Sequence, residues 1–291
     1  MSDAQKGVAA ILAACTIWGL SGLLYKALSR VAPIEVLAHR VLWSFAFFAA
    51  VLLVQGRFGL TGAALKDRSR ALRLLAATAM ISFNWFLFIS SVQTGKAAEA
   101  SLGYYIFPLL SVLIGRFLFS EPLFPAQKLA ALLAGAAVLV LTLGLGVTPW
   151  VSLMLAASFA AYGALKKGLD LGPVVSVTTE VLLLLPVALA VIWASGGGGF
   201  QAGGRDAALL MLAGPLTGLP LILFSYAARR VRLGTVGVLQ YLNPTLQFLV
   251  AVLIFGELFT LWHGIAFVLI WAGVFLFCAA ALMQERRAAR L

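Results

Sequence analysis

Charged side chains are scarce in this sequence. Only 11% of its 291 residues are Asp, Glu, Lys or Arg, whereas a soluble domain carries about 25%. Hydrophobic residues make up 63% of the chain and its mean hydropathy is +1.04, so water cannot be the solvent for most of its surface. Cysteine is almost absent as well. Cys15 and Cys278 both lie in apolar stretches, which excludes a disulfide framework and a cysteine-based metal site.

Long apolar runs fill most of the chain. A helix needs about 20 apolar residues to cross a hydrocarbon core about 30 Å thick. Ten such stretches are present, at approximately 7–26, 35–55, 71–93, 98–119, 126–146, 149–167, 174–194, 207–228, 235–256 and 261–283. Their short connections leave no room for a soluble catalytic domain, and the alternating pattern of a membrane barrel is missing. The sequence therefore predicts an all-α integral membrane protein with ten transmembrane helices.

The excess of basic residues indicates topology. The net charge is +11. If the N-terminus is cytoplasmic, 16 of the 21 Lys and Arg residues fall in cytoplasmic segments. The other five are Lys26, Arg30, Arg40, Lys96 and Arg205. The positive-inside rule then places both termini in the cytoplasm, and the basic charge gives no reason to expect a nucleic-acid partner.

The two halves of the chain repeat each other at an offset of 136 residues, the separation of Pro108 and Pro244. At this offset the segment at 105–121, YIFPLLSVLIGRFLFSE, aligns without a gap with the segment at 241–257, YLNPTLQFLVAVLIFGE. The matched pairs include Tyr105 with Tyr241, Pro108 with Pro244 and Glu121 with Glu257. We therefore expect a first five-helix repeat over 1–146 and a second over 147–291. Because five is odd, the second repeat must be inverted in the membrane.

Inverted repeats suggest a carrier, and polar residues inside its apolar helices suggest a substrate path. Gln240, Asn243 and Gln247 share one helix face. Aromatic residues on several other spans, with few full charges, favour a neutral or zwitterionic ligand with an apolar part. A strongly anionic substrate would require a cluster of arginines at mid-depth, which the sequence lacks. The alternative is that these side chains only form interhelical hydrogen bonds and fill gaps.

Two further features have open interpretations. Pro108 and Pro244 each remove a backbone donor, so each helix should bend or loosen there; they are predicted hinges, or else harmless kinks. The segment EVLAHR places Glu35, His39 and Arg40 in the first turns of the second span. A Glu35–His39 hydrogen bond would suit a proton-linked gate, whereas the alternative is a cluster that anchors the helix at the outer interface.

Signals for catalysis are missing from the sequence. No nucleotide-binding glycine pattern and no His, Cys or Asp cluster with metal-ligand spacing is present. We therefore expect no enzyme activity, no cofactor and no metal, and any transport would be driven by a gradient. An intramembrane enzyme or a membrane assembly factor is kept as a less favoured alternative to a transporter.

The sequence resembles the drug/metabolite transporter superfamily, EamA type, and within it the RarD-like branch. The resemblance covers nearly the whole chain. It is carried by IWGLSGLLYKAL, EVLAHRVLWS, NWFLFI, EASLGYYIFPLLSVLIGRFLFSE, SFAAYGALKK and LGTVGVLQYLNPTLQFLVAVLIFGE. It implies a bacterial-type inner-membrane exporter of small metabolites, related to exporters of aromatic amino acids, with a multidrug exporter as the alternative. A monomer is the working expectation.

The resemblance also implies which residues line the cavity between the repeats. The expected cavity residues are Trp18, Asn84, Trp85, Tyr105, Tyr162, Tyr241 and Asn243. The repeat is asymmetric where Phe107 in the first half matches Asn243 in the second. Recognition of substrate polarity is expected on the Asn243 side.

Overall fold

Helices make up nearly all of the part of the chain that the computed structural model describes, namely residues 2–120, 125–146, 149–167, 169–201, 203–231 and 233–288. The helices are α1 Asp3–Ala27, α2 Pro33–Val54, α3 Gly59–Leu65, α4 Arg68–Gln93, α5 Ala97–Phe119, α6 Pro125–Leu145, α7 Trp150–Lys166, α8 Pro173–Ala194, α9 Gly198–Gln201, α10 Gly204–Ala228, α11 Leu233–Leu239, α12 Leu242–Leu249 and α13 Leu261–Ala288, with a π-helical turn at Val250–Ile254.

The predicted set of membrane spans is present. Within the described ranges, nine helical segments are long and apolar enough to cross a membrane, and α7 is a shorter apolar helix of 17 residues. The segment Thr235–Ile254 counts as one span although it comprises parts of α11 and α12 and the π-helical turn. The all-α, ten-helix prediction is therefore confirmed.

Helix packing follows a two-fold pseudo-symmetry between the halves. Helix α1 packs on α10 as α7 packs on α4, and α5 packs on α7 as α12 packs on α1. Helix α2 packs on α10, and α8 on α4, while the pairs α2–α8 and α6–α13 join equivalent helices. Exchanging the halves thus maps the first six contacts onto one another in pairs and the last two onto themselves. Such packing is what two inverted five-helix repeats produce.

Local sequence explains where several helices begin. Pro33 and Pro173 occupy the first positions of the equivalent helices α2 and α8, where a missing N–H costs nothing. Helix α5 begins under a carboxylate from the other repeat. The two oxygens of Glu257 accept from the backbone N–H groups of Ala97 and Ala98, each at 2.8 Å, which satisfies donors that the helix itself cannot. The matching Glu121 lies outside the described residues.

The matched prolines sit in different surroundings. Helix α5 continues through Pro108 without interruption. The equivalent span breaks before Pro244, because α11 ends at Leu239 and α12 begins at Leu242. The carbonyl of Gln240 accepts from the N–H of Asn243 at 3.1 Å, since proline has no N–H to offer it. Loosening is therefore visible in the second half only, and the hinge role of both prolines stays a prediction.

Candidate functional site

A cavity of about 360 Å³ lies between the two repeats. Five of the predicted residues line it: Trp18, Asn84, Trp85, Tyr162 and Asn243. Most of the wall is aromatic or aliphatic, and the polar groups are amides, hydroxyls and one arginine. The volume falls within the range of about 300–1,000 Å³ that is usual for small-molecule sites.

The pseudo-symmetry extends to the cavity wall. Seven pairs of lining residues are related by the repeat offset of 136 or by a second offset of 144, at which Trp18 and Gly19 match Tyr162 and Gly163. They are Cys15 with Phe159, Trp18 with Tyr162, Ile81 with Thr217, Trp85 with Leu221, Phe88 with Phe224, Tyr104 with Gln240 and Phe107 with Asn243. The two repeats therefore contribute equivalent positions, and all but the pair Phe88 and Phe224 carry different side chains.

Tyr105 and Tyr241 do not line the cavity, contrary to expectation. Their rings stack on each other with centroids 6.2 Å apart and planes at 15°. The hydroxyl of Tyr105 is 2.7 Å from the Oγ1 atom of Thr245. The cavity residue is Tyr104 instead. Adjacent residues on a helix point about 100° apart, and here Tyr104 faces the cavity while Tyr105 packs on Tyr241. The match of Tyr104 with Gln240 in the repeat is the sequence signal that identifies it.

Asn84 joins three helices at the cavity wall. Its Nδ2 donates to the carbonyl oxygen of Leu155 and to the Oγ of Ser158, each at 3.0 Å. Its Oδ1 accepts from the hydroxyl of Tyr104 at 2.9 Å. The side chain of Asn84 is 1% exposed, and every one of these bonds is buried or partly buried. This node fixes the Tyr104 ring at the edge of the cavity.

Tyr162 connects the cavity to a buried ion pair that sequence reasoning did not predict. Its hydroxyl donates to Oε2 of Glu180 at 2.9 Å. Lys166 Nζ lies 2.8 Å from Oε1 of Glu180 and donates to the Tyr162 hydroxyl at 2.8 Å. Ser176 donates to the same carboxylate at 3.0 Å. The only sequence signal for Glu180 is its match with Glu35 at an offset of 145 residues.

The cluster on α2 is divided between two environments. Glu35 accepts from the backbone N–H of Gly199 at 2.7 Å, so the expected Glu35–His39 hydrogen bond is not formed. His39 stacks on Phe200 of α9 with centroids 5.4 Å apart, and neither ring nitrogen has a partner among the described residues. Arg40 instead lines the cavity, and the roles of the cluster as a gate or as an anchor stay predictions.

The predicted polar face of the ninth span is directed at the cavity. Gln240, Asn243 and Gln247 all line it. Gln247 donates from Nε2 to Oδ1 of Asn243 at 3.0 Å. Gly19 allows α1 to approach this face, because a Cβ there would lie 3.1 Å from the carbonyl oxygen of Asn243 and 2.7 Å from the Cβ of Leu246.

Comparisons with known proteins place both halves of the chain in one family. The EamA-like transporter family matches residues 5–143 and again residues 148–279. The protein RarD of Streptomyces exfoliatus is 42% identical over 276 residues, covering 93% of this chain and 87% of that protein. The chloramphenicol-sensitive protein RarD of Pseudomonas aeruginosa is 32% identical over 249 residues, covering 84% of this chain and 83% of that protein.

A solved crystal structure shares the fold. It superposes with a TM-score of 0.64 at 20% identity, covering 97% of this chain and 99% of that chain. The chain therefore belongs to the EamA-like transporter family, and the protein is a multi-pass membrane transporter.

Proposed function

We propose that the protein exports amino acids, aromatic ones included, across a bacterial-type inner membrane. The observation that carries the proposal is the cavity between the repeats, in which aromatic rings alternate with amides and hydroxyls and one arginine. Aromatic faces hold an ammonium by cation–π attraction and pack against an aromatic side chain. Amides and a guanidinium accept the polar end of the same molecule.

Alternating access between the inverted repeats is the proposed mechanism. The repeats, 1–146 and 147–291, would rock about the cavity as two bodies of like packing. The supporting observation is that helix contacts are exchanged between the halves by the pseudo-symmetry. We place both termini in the cytoplasm from the distribution of Lys and Arg, and we propose a monomer as the working unit.

The outer gate in this proposal is α9 on α2. Glu35 holds the backbone of α9 at Gly199, and His39 holds it through the ring of Phe200. Phe200→Ala should loosen this seal and increase the leak of preloaded substrate from vesicles, whereas Phe83→Ala, at a side chain that is 45% exposed on α4, should not. An equal leak in the two variants would remove the gate from the proposal.

Transport in proteoliposomes tests the function directly. Vesicles that contain the purified protein and are loaded with labelled phenylalanine or threonine should release the label faster than protein-free vesicles with the same load. The release is measured with and without a pH gradient. Trp18→Ala, which removes one aromatic ring from the cavity wall, should reduce phenylalanine flux more than threonine flux. If no amino acid moves faster than in protein-free vesicles, the amino-acid proposal is wrong.

A multidrug exporter is the second candidate. It is favoured by the aromatic cavity wall and by similarity to a protein whose name describes chloramphenicol sensitivity. Overexpression would then raise drug resistance without changing tolerance to amino acids. A counterflow screen of amino acids and chloramphenicol on the same vesicles decides between the two candidates.

A further inference from the structure

Of the described residues that line the cavity, Arg40 alone carries a full charge. Its side chain is 7% exposed. The ion pairs found within the described residues are Lys6–Asp3 and Lys166–Glu180, so no carboxylate of that part of the chain lies within salt-bridge distance of Arg40. A buried charge is costly unless it is paired and hydrogen-bonded. Among the described residues, the cavity thus contains a cation with no carboxylate paired to it.

The surroundings of Arg40 leave one side of its guanidinium group free. Its Nε donates to the Oγ1 of Thr217 at 2.9 Å. The ring of Trp85 lies 4.1 Å from its Cζ atom, and the ring of Tyr25 lies 5.7 Å away. Within the described residues the two terminal nitrogens of Arg40 have no hydrogen-bond acceptor, and they are not among the fully buried polar atoms. Two aromatic rings and one hydroxyl therefore contact the guanidinium group, and its two terminal N–H groups remain available for a ligand.

The nearest acidic side chain on the same helix is already engaged. Glu35 accepts the backbone N–H of Gly199 at 2.7 Å. Glu180, which accepts from the cavity residue Tyr162, is paired with Lys166 at 2.8 Å. Neither carboxylate is available to neutralise Arg40 without breaking a short hydrogen bond. Within the described part of the chain no carboxylate pairs with Arg40, and a bound ligand can supply the anion.

We infer that Arg40 binds the carboxylate of the transported molecule, so that the cavity selects organic monocarboxylates and zwitterions with an apolar part. The inference rests on the proposed function and deepens it by assigning the carboxylate end of the substrate. A guanidinium binds a carboxylate through two parallel N–H···O bonds, and a planar fork held against the ring of Trp85 is prepared for that geometry. A phosphate dianion would need a second cation, and the other lining residues supply none.

The assignment also gives the two ends of an amino acid separate places. The carboxylate lies against Arg40 on α2. The apolar part and the ammonium lie among the rings of Tyr104, Phe107 and Phe159, where the Phe107 and Phe159 centroids are 4.6 Å apart. Loss of the guanidinium should therefore weaken ligands that have a carboxylate and leave ligands without one nearly unchanged.

A matched ligand series on the full chain in detergent tests this. The ligands are phenylalanine, 3-phenylpropionate, 3-phenylpropanamide and phenethylamine, with phenyl phosphate and chloride as anion controls. Binding is measured by calorimetric titration and by the ligand-induced shift of the unfolding temperature. In the unmodified protein, 3-phenylpropionate should bind more tightly than its amide, and Arg40→Gln should weaken both carboxylate ligands by about 10- to 100-fold. Phenethylamine should change less than about 3-fold, since it forms no hydrogen bond of this kind.

Two variants serve as controls. Arg40→Lys keeps the charge but not the fork and should retain part of the preference for carboxylate. Arg30→Gln removes an exposed arginine from the connection between α1 and α2, and this variant should bind the ligands like the unmodified protein. An equal loss for phenethylamine and 3-phenylpropionate would mean that Arg40 only supports the fold. If phenyl phosphate or chloride bound as tightly as 3-phenylpropionate, Arg40 would be part of a general anion site. Either outcome overturns the inference.

The unmodified protein decides the question even if Arg40→Gln does not fold. Equal binding of 3-phenylpropionate and its amide would overturn the inference, whatever the vesicles transport. A clear preference for the carboxylate, together with no amino-acid flux, would uphold it and end the amino-acid proposal. Amino-acid flux without a preference for the carboxylate ligand would uphold the amino-acid proposal and overturn the inference about Arg40.

Discussion

Removal of the lysine from the buried ion pair beside the cavity should destabilise the protein strongly. The carboxylate of Glu180 is 2% exposed and accepts from Lys166, Tyr162 and Ser176 at distances between 2.8 and 3.0 Å. Lys166→Met would leave this charge with two hydroxyl donors and no cation. An uncompensated buried charge costs about 3–5 kcal/mol.

The expected magnitude lies at the low end of that range. The side chain of Lys166 keeps 22% of its exposure, so water partly screens the pair even before it is broken. We expect about 3 kcal/mol for Lys166→Met, and a decrease in unfolding temperature of roughly 6–9 °C for a chain of this size. Adding Glu180→Gln to Lys166→Met should restore most of the lost stability, to within about 1 kcal/mol of the unmodified protein, because the buried charge is then gone.

Heat unfolding of the purified protein, followed by tryptophan fluorescence, measures both variants. The control is Lys6→Met, which removes the lysine of the Lys6–Asp3 pair at 3.5 Å. Its side chains are 52% and 80% exposed, and an exposed pair contributes about 0–1 kcal/mol. If Lys166→Met unfolds at the same temperature as Lys6→Met, or if Glu180→Gln does not rescue it, the reasoning from burial is refuted.

Three other predictions concern helix packing and motion. Gly103→Ala should cost about 1–3 kcal/mol by overpacking, because its Cβ would lie 2.7 Å from a backbone oxygen of α7; Gly135→Ala, with nothing within 4 Å, is the control, and equal unfolding temperatures would contradict the prediction. Glu257→Gln should lower the unfolding temperature modestly, since an amide has one acceptor oxygen, so that one of the two charge-assisted bonds to α5 becomes neutral and the other is lost; an unchanged midpoint would show that the cap contributes nothing measurable. Pro108→Ala and Pro244→Ala should each slow flux in vesicles while leaving folded yield near that of the unmodified protein, and unchanged flux in both would exclude the hinge role.

The helices and their duplication were predictable because hydropathy and matched sequence report them directly. A span requires a run of about 20 apolar residues, and a gap-free match of tyrosine, proline and glutamate at one offset is not a coincidence of leucines. The polar face of the ninth span was predictable for the same reason. Gln240, Asn243 and Gln247 recur with helical spacing, and all three line the cavity.

The site was less predictable because side-chain direction depends on helix rotation. The difference between Tyr104 and Tyr105 is one residue in sequence and about 100° around the helix. Arg40 looked like part of an interfacial cluster because it is one residue from His39, yet its neighbour stacks on α9 while Arg40 faces the cavity. Glu180 gave no periodic signal at all. Its role depends on Lys166 from another helix, and sequence spacing does not record contacts between helices.

The walls of the cavity are exchanged by a two-fold axis, but their polar groups are not. The first repeat offers a guanidinium at Arg40, and the second offers amides at Gln240 and Asn243. If Arg40 binds the carboxylate, as inferred above, a substrate with unlike ends binds better in one orientation than in the reverse. In the proposed rocking of the two repeats, the substrate would keep that orientation while it crosses the membrane, and release of its carboxylate from Arg40 would be enough to begin its dissociation.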